Sequence, residues 1–61
     1  MLEAITRVNG YYKESKGSKE EFIRILESHG YREGYNGYEI IPGGVVRVYV
    51  HAPDGYAGYQ F

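Results

Sequence analysis

Few side chains in this chain are suited to acid–base, nucleophilic or metal chemistry. Its 61 residues include two histidines, His29 and His51, and no cysteine. A zinc centre draws three or four ligands from His, Cys and carboxylates at workable spacing, and no such set is written here. Ser28 and His29 are neighbours, and successive helix residues point about 100° apart, so they are not a nucleophile and its base. Asp54 belongs to Ala52-Pro53-Asp54-Gly55, which is turn chemistry. Gly43-Gly44 follow Pro42 with no helix start behind them to receive a phosphate. The acidic pair Glu20-Glu21 reads as solvated helix charge. These residues imply no catalytic group, no metal ligand and no cofactor, so the chain reads as a protein that is not an enzyme.

What the sequence holds in quantity is tyrosine. Eight tyrosines occur, and six of the nine glycines directly precede one: Gly10, Gly30, Gly34, Gly37, Gly55 and Gly58. Tyrosine fills a small core well, because its ring is buried while its hydroxyl reaches a polar partner. It is also enriched at the centres of protein interfaces.

Composition narrows the classes further. A chain of this length is one domain, 1–61, close to the lower limit for folding without staples. Without cysteine there is no disulfide, which fits a reducing, cytoplasmic setting. No apolar run has the length of a membrane span, and the N-terminus lacks the basic-then-apolar order of a signal peptide. Seven Lys/Arg against eight Asp/Glu give a net charge of -1. A polyanion binder shows a basic excess and a nucleic-acid mimic an acidic one; neither is present.

The elements that must position the tyrosines are legible in outline. Ser18-Lys19-Glu20-Glu21 is a capping box and Gly30 a stop, so residues 18–29 form a helix. Phe22, Ile25, Leu26 and His29 share its apolar side, with Ile23 on the edge, and Glu20 and Arg24 form an i,i+4 pair. Residues 36–61 form a three-stranded antiparallel meander. Val46, Val48 and Val50 alternate with Val45, Arg47, Tyr49 and His51. A Pro42-Gly43-Gly44 loop sets Tyr38 against Val48, Glu39 against Arg47, Ile40 against Val46 and Ile41 against Val45. A loop over 52–55 sets Tyr56 against His51, Gly58 against Tyr49, Tyr59 against Val48 and Phe61 against Val46. Tyr38, Ile40, Val46, Val48, Val50, Ala57, Tyr59 and Phe61 then share the face on which the helix lies.

Residues 1–17 admit two readings. Asn9-Gly10 is the strongest short hairpin signal, and the preferred reading is an N-terminal hairpin and connector. Leu2, Ile5 and Val8 also fit helical spacing with Gly10 as its stop. With the hairpin, the fold is α+β, one amphipathic helix packed on an antiparallel sheet in the order β-β-α-β-β-β. The hairpin either folds back over the second sheet face or leaves it open.

That second face carries the candidate binding residues. Glu39, Ile41, Val45, Arg47, Tyr49, His51, Tyr56 and Gln60 line it, and Tyr31 and Tyr35 lie in the loop after the helix. Tyr49, Tyr56, Arg47, Ile41, His51 and Tyr35 form the predicted partner-binding set. Aromatic and arginine anchors of this kind dominate interface energetics. The expected function is a small protein-interaction module, an inhibitor or adaptor of the kind carried by phages and mobile elements. Its partner is another protein or a second copy of the chain, with no membrane involved. The alternative is single-stranded nucleic-acid binding by base stacking on the same face, with Arg47, Lys13, Lys16 and Lys19 near the backbone; the missing basic excess counts against it.

Ser18 to Tyr31 followed by Val46 to His51 resembles the HicA-type toxins, small RNA-cleaving proteins. The resemblance covers about half the chain. That family carries Gly-Ser-His on the strand after the helix, whereas this chain has Gly37-Tyr38-Glu39. The residue that would do the chemistry is missing, and the resemblance implies no site here.

Overall fold

The computed structural model describes residues 3–34, 36–50 and 55–61. Two helices come first, α1 over Glu3–Ser15 and α2 over Lys19–Ser28. Three strands follow, β1 over Tyr38–Ile41, β2 over Val45–Tyr49 and β3 over Tyr56–Gln60. The strands form one antiparallel sheet in the order β1-β2-β3. The fold is α+β, but its order is α-α-β-β-β, so the expected N-terminal hairpin does not form.

The reason lies in α1's buried stripe. Ala4, Ile5, Val8, Tyr11, Tyr12 and Ser15 recur at helical spacing, and Val8 is fully buried. Gly10 sits inside the helix rather than stopping it. A mid-helix glycine costs about 1 kcal/mol relative to alanine. Burying one valine contributes about 1.5–3 kcal/mol, and Tyr11 and Tyr12 add to it. Asn9, the first half of the hairpin signal, accepts a hydrogen bond from the Tyr59 hydroxyl instead. Tertiary packing overrides the local turn preference.

α1 turns into α2 through Lys16 and Gly17, with φ of 55° and 82°. Ser18 caps α2 as its sequence demands, its hydroxyl accepting from the Glu21 N–H at 3.2 Å. The reciprocal half of the capping box is absent because the Ser18 N–H already donates to the Ser15 carbonyl at 3.0 Å. Glu21 is therefore available to Arg24, and this i,i+3 pair replaces the expected Glu20–Arg24 pair. At the other end the Gly30 N–H donates to the Glu27 carbonyl and the Tyr31 N–H to the Leu26 carbonyl. With Gly30 at φ 94°, this is a Schellman cap. Ile23, not Ile25, is the isoleucine of α2 that packs against the core.

The β1–β2 register is the expected one, from Tyr38 opposite Val48 to Ile41 opposite Val45. The β2–β3 register differs from expectation by two residues: Tyr49 faces Tyr56, Arg47 faces Gly58, Val46 faces Tyr59 and Val45 faces Gln60. The pairing continues outward, with the Val50 N–H donating to Gly55 and the Phe61 N–H to Gly44. This register pairs β2 with β3 from Val45 to Tyr49 and so satisfies its backbone groups on that side. A slip of two residues leaves every side chain on its original face. The predicted core face is thus correct although the pairing is not.

The core is Val8, Phe22, Leu26, Tyr38, Val46, Val48, Val50 and Tyr59. Phe22 is its centre, edge-to-face with Tyr12 at 5.6 Å and with Tyr59 at 5.0 Å. Ile40, on the same side of edge strand β1, stays 43% exposed. Gly37 has a specific role. A Cβ there would sit 1.8 Å from the Arg32 carbonyl oxygen. Only glycine lets residues 32–34 fold against the start of β1, where Tyr38 donates to Arg32 and accepts from Gly34.

Candidate functional site

Both helices lie on one face of the sheet. With α1 used there, no element of the described chain crosses the other face, which presents Glu39, Ile41, Val45, Arg47, Tyr49 and Tyr56. Cross-strand geometry organises these side chains. Glu39 and Gly58 flank Arg47 as its direct neighbours, and Tyr49 faces Tyr56. Because Gly58 has no side chain, Arg47 leans diagonally over the Tyr56 ring, its Cζ 5.6 Å from the centroid. The Tyr49 and Tyr56 rings are 6.5 Å apart. Tyr49 donates its hydroxyl to the Glu39 carboxylate. A hydrogen bond to Tyr49, reinforced by the charges of Tyr49, Glu39 and Tyr56, raises the Arg47 pKa despite partial burial. Arg47 is thus a fixed cation between two aromatic rings and one carboxylate.

Of the predicted partner-binding set, the structure brings together Arg47, Tyr49 and Tyr56, with Ile41 at the far end of β1. Tyr56 is the most open, at 61% exposure. His51 and Tyr35 lie outside the described residues. The expected placement of Gly58 opposite Tyr49 is corrected, since Gly58 faces Arg47.

A second feature was not legible in the sequence. A cleft of about 560 Å³ opens between α1 and the segment from α2 to β1. Arg7 and Tyr11, one turn apart on α1, form one wall. His29, Tyr31, Arg32 and Asn36 form the other, and Tyr49 closes the end toward the sheet. Tyr11 stacks on His29, ring centroids 4.4 Å apart and planes within 10°. Burial and the nearby Tyr11 push the Tyr31 pKa up, against the pull of Arg7; at neutral pH its hydroxyl keeps its proton. No local signal marks this cleft, because its walls come from segments that only the helical hairpin brings together. In the sequence pattern Tyr31 falls in the loop after the helix, His29 ends that helix, and Arg7 falls within the expected N-terminal hairpin.

Among the described residues no three His, Cys, Asp or Glu side chains converge to hold a metal ion. Nor is any helix among them long and apolar enough to cross a membrane. Comparison with protein-family models, with curated proteins and with solved structures returned no match.

Proposed function

We propose that this chain is a small, non-enzymatic protein-interaction module, an inhibitor or adaptor, that binds its partner through the sheet face opposite the helices. The observation that carries the reading is that face itself: Ile41, Val45, Arg47, Tyr49 and Tyr56 lie together with no described element across them. Rings whose geometry is already set by cross-strand neighbours lose little entropy on binding. Arg47, over the Tyr56 ring and next to Glu39, supplies a directional polar contact in a face that also carries Ile41, Val45 and Tyr49.

The test compares three chains as bait in extracts of the native host: the wild type, the Tyr49→Ser/Tyr56→Ser double variant and an Arg24→Gln control. A partner held by the wild type and the control but lost by the double variant supports the reading. Retention by all three refutes it. Light scattering at several concentrations identifies the partner as a second copy if a dimeric mass reverts to monomer in the double variant. The Arg47–Tyr56 stack also suits an exposed base. Micromolar binding of mixed single-stranded oligonucleotides, weakening steeply with salt, would move the function to nucleic acid.

A further inference from the structure

The cleft between α1 and the α2–β1 segment has the donor set of an anion site. Two arginines, Arg7 and Arg32, from positions far apart in sequence, line one space of about 560 Å³. Its described lining contains no Asp or Glu. Among the described side chains neither Arg7 nor Arg32 is held in an ion pair, while the ion pair that is present, Arg24–Glu21, lies elsewhere on α2. Asn36 adds amide donors, and Tyr31 adds a hydroxyl that stays protonated. Arg32 is held in place by its backbone, through the Tyr38 N–H bond to its carbonyl and the close approach of Gly37. Arg7 is held in place by α1, one turn from the Tyr11 ring that is stacked on His29.

Two forked cations with neutral donors between them match a dianion better than a single carboxylate, because each guanidinium can engage two oxygens. The volume exceeds that of a bare phosphate and is in the range of small-ligand clefts. Tyr11, Tyr31 and Tyr49 complete the lining. We propose that this cleft binds a small phosphate monoester, its phosphoryl group between Arg7 and Arg32 and its organic part against the tyrosine rings. The proposal does not depend on the sheet-face reading.

The experiment follows the backbone amides of the whole chain by NMR during titration at constant ionic strength with phenyl phosphate, inorganic phosphate, acetate or chloride. Saturable shifts confined to the Arg7, His29–Arg32 and Asn36 region are expected for phenyl phosphate. Inorganic phosphate should reproduce them more weakly, because it lacks the ring. Acetate and chloride should not saturate. Arg7→Gln and Arg32→Gln should each weaken phenyl phosphate binding at least ten-fold while thermal unfolding is unchanged, and Arg24→Gln and Tyr56→Ser should leave it as it is. Diffuse, non-saturating shifts, acetate binding as tight as phosphate, or an equal loss in Arg24→Gln would each overturn the proposal. Tighter binding of inorganic phosphate than of phenyl phosphate would overturn the monoester assignment.

Discussion

Tyrosines occupy both faces of the sheet and behave differently on each. On the helix side Tyr38 and Tyr59 bury their rings, and their hydroxyls reach across to the helices, to Glu27 of α2 and Asn9 of α1. Tyr12 does the reverse from α1, donating to the Gln60 carbonyl at 3.1 Å. These bonds span long sequence separations and tie helix to strand. On the opposite side Tyr49 donates to Glu39 within the sheet, and Tyr56 is exposed beneath Arg47. The lesson is that the ring supplies burial on one face and presented area on the other, and the position of the hydroxyl's partner separates the two. Tyr38 and Tyr59 donate to another layer, whereas Tyr49 donates to Glu39 of its own sheet.

Four changes test that contrast, beginning with the largest. Phe22→Ala removes the ring on which Tyr12 and Tyr59 pack and should cost about 3–5 kcal/mol in chemical denaturation. That is enough to leave so small a domain largely unfolded. A small cost would mean that the helix side is not the core. Next, Tyr38→Phe should cost about 1–2 kcal/mol, since it strips a partly buried donor from the Glu27 carboxylate.

The same residue gives a pH signature. Burial first, then the hydrogen bond and charge of Glu27, push the Tyr38 pKa up from 10.0 to about 12. A raised folded-state pKa means stability that is complete below pH 10 and is lost as pH climbs toward about 12. Burial raises Tyr59 in the same direction. Thermal unfolding of the wild type should therefore fall across that alkaline window, and Tyr38→Phe should flatten the fall. An unchanged slope in the variant would place the titrating group elsewhere.

On the open face the effects shrink. Tyr49→Ser with Tyr56→Ser should change stability by about 1 kcal/mol, because Tyr56 is exposed and Tyr49 lies outside the core, only half-buried. A collapse comparable to Phe22→Ala would show that these rings belong to a covered surface. The smallest change is Gly58→Ala. Its added Cβ meets nothing within 4 Å, so stability should stay within about 0.5 kcal/mol. Any effect should appear as a displacement of the Arg47–Tyr56 stack, read from the Tyr56 ring shifts in NMR spectra.

The sequence alone determined α2 with its Ser18 cap and Gly30 stop, the β1–β2 register, and which side of each strand faces the core. Each of these depends on neighbours close in the chain or on the two-residue period of a strand, so local chemistry suffices. Only the tertiary structure decided that residues 3–15 are helical, that β3 pairs two residues further along, and that Arg7 and Arg32 line one cleft. In the first case the burial of Val8, Tyr11 and Tyr12 outweighed an Asn-Gly turn preference. In the second, two registers that differ by two residues put the same side chains on each face, so the strand pattern could not choose between them. In the third, the walls of the cleft come from α1 and from the segment between α2 and β1, and no local pattern records which distant segments the packing of a helical hairpin will bring together.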